Sequence, residues 1–94
     1  MEILCRGGSL MMTKFESRKD PSKPALHHHP HEQMIYLLRG RLKVFIGDGE
    51  RILEKGGTVY FGPDVPHGVA KLEDSVWLDI FTPQRLDFLK DLKT

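Results

Sequence analysis

Turn-forming residues cut this 94-residue chain into pieces too short for a sizeable helix until its C-terminal tail. Gly7-Gly8, Pro21 with Pro24, Pro30, Gly40, Gly47-Asp48-Gly49, Lys55-Gly56-Gly57, Gly62-Pro63-Asp64-Val65-Pro66 and Glu73-Asp74 follow one another at close intervals. Proline lacks the N–H that a ladder or helix needs, while Gly and Asp tolerate the positive φ of tight turns. Between these breaks lie short apolar or alternating runs at 10–16, 25–29, 34–38, 42–46, 50–53, 58–61, 67–72 and 75–81. Many short strands separated by turn chemistry predict an all-β sandwich or barrel. Gly40 predicts a tight hairpin between the third and fourth runs, and Gly47-Asp48-Gly49 predicts another. Only the tail reads as helical. Thr82 suits an N-cap and Pro83 the first helical position, and Leu86, Leu89 and Leu92 recur at near-helical spacing with Phe88 and the Lys90/Asp91 pair. A short amphipathic helix is expected over 83–92.

The length fits a single domain, 1–94, with its strand core at about 10–81. A chain of this size buries only about 60% of its unfolded surface, so a metal or a partner chain would add useful stability. Fourteen basic and thirteen acidic residues leave a net charge of +1, which makes no electrostatic case for nucleic acid or an anionic membrane. Cys5 is the sole cysteine, which excludes an internal disulfide and points to the cytoplasm. No stretch has signal-peptide character or the apolar length of a membrane span. The run 75–81 is apolar on both faces apart from Asp79: Val76, Leu78 and Ile80 alternate with Trp77 and Phe81. A strand covered on both sides needs a second layer on each, and in so small a domain that layer would be another subunit, hence a homodimer.

Four of the five histidines stand in His27-His28-His29-Pro30-His31, followed by Glu32-Gln33, and the fifth is His67. Imidazole is the commonest metal ligand among side chains, so the cluster proposes a metal site; a solvated polar loop is the competing reading. Residues two apart on a strand share a face, which would project His27 and His29 together and turn His28 away. His67 arrives from a distant loop, as closing a coordination sphere usually requires. His31 is expected to orient a ligand or to line the pocket.

These residues resemble the two motifs of the cupin superfamily. His27-His28-His29, Gln33 and Gly40 keep the spacing of the first motif, and Gly57 to Phe61 with Pro63-Asp64-Val65-Pro66-His67 is similar to the second. Pro21 and Val65 stand where the family places glycine, and Lys71 where it places asparagine, none of which supplies a usual ligand. The resemblance runs from about residue 10 to the C-terminus. It implies a double-stranded β-helix, or jelly-roll barrel, binding one divalent transition metal ion through His27, His29, Gln33 and His67. Gln33 replaces the more usual Glu and brings no negative charge. The bound ion would keep its full dipositive charge, making a stronger Lewis acid and a poorer match to the two-His-one-carboxylate triad of iron oxygenases. Manganese, iron, nickel and zinc all suit such donors.

A second constellation lies in the last strand. A carboxylate amid apolar residues is costly to bury unless it is paired or used, and Trp77, Asp79 and Phe81 share one face by alternation. The segment from Trp77 to Arg85 resembles the closing strand of small cupins of pectin and alginate breakdown, which help convert cyclic 4,5-unsaturated monouronates to linear keto acids. The resemblance implies that Asp79 is a general acid/base, Arg85 a carboxylate holder with a catalytic role, and Phe81 an apolar wall of the substrate pocket. A structural ion pair between Asp79 and Arg85 is the plainer alternative. A non-catalytic small-ligand or metal-binding module, and a cupin isomerase or dioxygenase, are the competing functions. No room remains for a separate DNA-binding unit.

Overall fold

A computed structural model describes residues 1–89. Alternation decides which side of each strand is buried. In β3 (Glu32–Arg39), Gln33, Ile35 and Leu37 point inward, while Glu32, Met34 and Tyr36 point out. In β8 (Ser75–Thr82), Trp77, Asp79 and Phe81 are buried, and Leu78 and Ile80 are half-buried on the opposite face. The other strands are β1 (Glu2–Gly7), β2 (Leu10–Ser17), β4 (Leu42–Ile46), β5 (Gly49–Leu53), β6 (Thr58–Phe61) and β7 (His67–Lys71). They form a five-stranded sheet in the order β1-β2-β8-β3-β6 and a three-stranded sheet in the order β5-β4-β7, with antiparallel pairing throughout. Ile35, Leu37, Val59, Phe61 and Trp77 from the larger sheet meet Leu42, Val44 and Leu53 from the smaller one in a single apolar cluster. This is the all-β jelly-roll architecture that the turn spacing and motifs imply.

Several local expectations are corrected. The strand β1 lies ahead of the first expected run; nearly all its residues are exposed, so no alternation marks it in the sequence. The segment 25–29 is not a strand, because Pro21, Pro24 and Pro30 interrupt the ladder. The chain instead touches the free edge of β7 at two isolated bridges, Asp20 with Lys71 and His27 with His67. Gly68 permits the close approach between them: a Cβ there would stand 3.0 Å from Pro24 Cγ and 3.2 Å from Leu26 Cδ2.

Gly40 does not close a hairpin. Strand β3 is paired on both sides, by β6 and β8, and β4 by β5 and β7, so the Gly40 turn carries the chain from one sheet to the other. The hairpin at Gly47-Asp48-Gly49 does form, joining β4 to β5 with Gly47 at a φ of 54°. Thr82 ends β8 rather than capping a helix, and the described helix α1 spans only Leu86–Leu89. Pro83 therefore precedes it instead of opening it, and expected helical positions 90–92 lie outside the described residues.

Gly40 combines a φ of 96° with a crowded site, where a Cβ would overlap Ser75 Oγ and Asp74 O. Gly47 has positive φ but open space around it. Gly47→Ala should cost about 1 kcal/mol for backbone strain alone. Gly40→Ala should cost clearly more because overlap adds to the same strain, and urea unfolding of the two variants measures the difference.

Candidate metal centre

The interior face of β3 ends at Gln33, which is paired with Phe81 on β8 and Phe61 on β6. His67 opens β7 and faces Gln33 across the gap between the sheets, its ring stacked on Phe61 at 4.3 Å between centroids. Paired main-chain hydrogen bonds clamp His27 to His67, at 3.0 and 2.9 Å. His29 follows in the loop, anchored where Asp64 N–H donates to its carbonyl at 2.7 Å. A ligand atom from each of His27, His29 and His67 lies within 4.8 Å of the others, so this cluster could hold a metal ion.

Hydrogen bonding on the far sides of the rings selects their tautomers. His29 Nδ1–H donates to the carbonyl of His31 at 3.1 Å, and His67 Nδ1–H donates to that of Val65 at 2.8 Å. Each neutral ring then keeps an unprotonated Nε2, and these stand 3.0 and 3.2 Å from Gln33 Oε1. Gln33 cannot offer hydrogen there, because its Nε2 donates to Asp79 Oδ1 at 2.7 Å. Lone pairs therefore converge from three directions with no proton between them. That is the donor set of a cation site, and the residues fit a divalent transition ion.

Burial disfavours the charged form of two of these imidazoles, His67 and His27. It lowers the pKa of His67 to about 4, and it also lowers that of His27, helped by the neighbouring His29. His28 takes no part: its ring is 65% exposed and lies 3.6 Å from Asp64. His31 acts on His29 through its main-chain carbonyl, while its ring Nε2 approaches the Gln84 carbonyl at 3.3 Å.

A cavity of about 280 Å³ opens beside the cluster, lined among others by His27, Gln33, His67, Asp79, Phe81 and Arg85. Asp79 is 3% exposed, and burial pushes its carboxyl up to about 6, against the pull of hydrogen bonds from Gln33 and Trp77. Trp77 Nε1–H donates to Asp79 Oδ2 at 3.2 Å, a contact that shared-face periodicity suggests only as proximity. The alternative of an Asp79–Arg85 ion pair does not occur. Arg85 pairs with Asp87 at 2.8 Å, and its guanidinium lies over the Phe88 and Phe81 rings. Nothing in the sequence singles out Asp87, because an acidic residue in a polar tail carries no signal by itself.

The cupin domain family profile matches residues 16–81. Over 89 residues the chain is 34% identical to the pectin degradation protein KdgF of Dickeya dadantii (strain 3937), spanning 94% of this chain and 81% of that protein. Among solved structures, KdgF from Halomonas sp. superposes with a TM-score of 0.86 at 27% identity, over 93% of this chain and 80% of that one. An RmlC-like cupin from Shewanella frigidimarina gives a TM-score of 0.75 at 26% identity, over 93% and 87%.

His29→Ala and His67→Ala should each purify with little bound metal, whereas His28→Ala should retain it, as elemental analysis will measure. Imidazole must be neutral to coordinate, so the lowered pKa values should keep the parent protein loaded at a pH of about 6, below the ordinary histidine value of about 6.5.

Proposed function

The chain belongs to the cupin domain family and is a relative of the pectin degradation protein KdgF, and from that premise we propose that it is an enzyme opening the ring of 4,5-unsaturated monouronates to linear keto acids. The observation that carries this reading is the Gln33 amide, which joins the imidazole cluster to a buried carboxylate inside one monosaccharide-sized cavity. His27, His29, Gln33 and His67 would hold one divalent ion, whether manganese, iron, nickel or zinc. When bound, the ion supplies Lewis acidity toward a hydroxyl or ring oxygen of the sugar.

Ring opening keeps every atom. The bond between the anomeric carbon and the ring oxygen breaks as the anomeric hydroxyl loses its proton to leave an aldehyde, and the resulting enolate becomes a ketone when a proton reaches C4. Such a reaction needs one group able both to take and to give a proton near neutrality. Asp79, with its carboxyl raised to about 6, is matched to that task. Trp77 and Gln33 each donate to one of its oxygens and so hold the carboxylate in a single orientation. Arg85 binds the uronate carboxylate, and Phe81 walls the sugar's apolar face.

The protein acts in the cytoplasm as a homodimer in this proposal. Met34, Tyr36 and Tyr60, each more than 40% exposed, form with half-buried Ile80 an apolar outer face on the five-stranded sheet. No helix among the described residues is long and apolar enough to cross a membrane.

Asp79→Asn should keep its metal yet lose about 10²- to 10⁴-fold in turnover of 4,5-unsaturated galacturonate, followed by loss of its ultraviolet absorbance. Full turnover by this variant would remove Asp79 from the chemistry. A metal-loaded parent protein that never accelerates the loss would leave a binding module. Met34→Glu should convert the dimer to monomer in light scattering after gel filtration.

A further inference from the structure

The guanidinium of Arg85 is confined on three sides. Asp87 Oδ1 accepts from Nε–H at 3.0 Å and Oδ2 from Nη2–H at 2.8 Å. The rings of Phe88 and Phe81 lie with their centroids 4.3 and 5.2 Å from Cζ. A guanidinium carries five N–H donors around a planar rim. Asp87 occupies the side edge, formed by Nε–H and one Nη2–H. The end edge, formed by Nη1 and the second Nη2 hydrogen, keeps two parallel N–H groups, the fork that matches a carboxylate.

The two members of the pair face different spaces. Arg85 is 16% exposed at its side chain and lines the cavity beside the imidazoles. Asp87 is 54% exposed and lines a separate hollow with Arg6, His31 and Gln84. The main chain just before Arg85 is also tied down. Gln84 donates to the Gly8 carbonyl at 2.8 Å, accepts from Arg6 at 3.1 Å, and its own carbonyl meets His31 Nε2 at 3.3 Å. With the backbone anchored, the remaining freedom of Arg85 lies in its side-chain torsions.

We propose that Asp87 is a positioning residue, holding the side edge of Arg85 so that the end edge is presented to the carboxylate of a sugar acid in the metal cavity. This rests on the reading of Arg85 as the carboxylate holder. The negative charge of Asp87 offsets part of the attraction between Arg85 and an anion, so its contribution is geometric. It favours a planar carboxylate over an ester of the same sugar more than it raises affinity at large.

The test uses the metal-loaded full chain with two readouts. One is calorimetric binding of D-galacturonate against its methyl ester. The other is kcat and KM for 4,5-unsaturated galacturonate. Asp87→Ala should raise KM on the order of tenfold with a smaller fall in kcat, because a displaced binding group can cost up to about a hundredfold. It should also narrow the acid-over-ester preference while metal content stays unchanged. Asp87→Glu should restore most of that preference, which a merely structural role would not require. Should Asp87→Ala fail to fold, Asp87→Asn keeps the shape and one acceptor and is expected to show an intermediate loss. An unchanged preference in the Asp87 variants, with a collapsed one in Arg85→Gln, overturns the positioning role and leaves the Arg85 reading standing. An unchanged preference in Arg85→Gln overturns both.

Discussion

A single carboxamide, that of Gln33, sets the polarity of the whole interior site. Its two ends differ: nitrogen can only donate and oxygen can only accept. The nitrogen is committed to Asp79, so the oxygen must face the Nε2 atoms of His29 and His67. A Glu in its place would set two carboxylates against each other where the structure now has a donor and an acceptor. The amide thus lets a carboxylate and an imidazole cluster that could hold a metal ion lie side by side in a low-dielectric cavity, each oriented by the other.

The surrounding fold makes that junction rigid. Gln33 and Asp79 sit on adjacent, fully paired strands with Phe61, Phe81 and Ile35 packed around them. Two of the imidazoles come from less regular chain, but main-chain bonds hold them: His27 to the start of β7, His29 to Asp64, and the two outer ring nitrogens to carbonyls of His31 and Val65. Paired strands supply the carboxyl of Asp79, the amide of Gln33, the Phe81 ring and the imidazole of His67, and a pinned loop supplies those of His27 and His29. The short segment after β8 adds Arg85 and Phe88 along the cavity's remaining side.

The sequence exposed more of this site than of its frame. His-x-His with Gln33 and a distant His67 is a spacing pattern, and alternation alone aligns Trp77, Asp79 and Phe81. Yet no shared strand face brings His27 and His29 together, because prolines deny them a strand; an isolated bridge to His67 holds His27, and the Asp64 N–H holds His29. Gly40 illustrates the same limit. A glycine between two apolar runs looks alike whether the runs pair with each other or with strands elsewhere, and here each strand already has two other neighbours. Strand β1 leaves no mark in the sequence because an exposed edge strand has no inside to pattern.

What the amino-acid order determined by itself was most of the short strands between turns, the faces of β3 and β8, and a set of side chains able to ligate. Partnership was decided only by the tertiary structure. Whether Asp79 pairs with Arg85 or with Gln33 depends on which strand lies beside β8 and on where the segment after it turns, and Gln33 comes from a strand 46 residues away in sequence. Likewise the edge of Arg85 that remains free depends on a side chain two residues away whose direction only the folded segment defines. Periodicity encodes direction relative to a sheet, whereas hydrogen-bond partners are set by which strands and segments come to lie side by side.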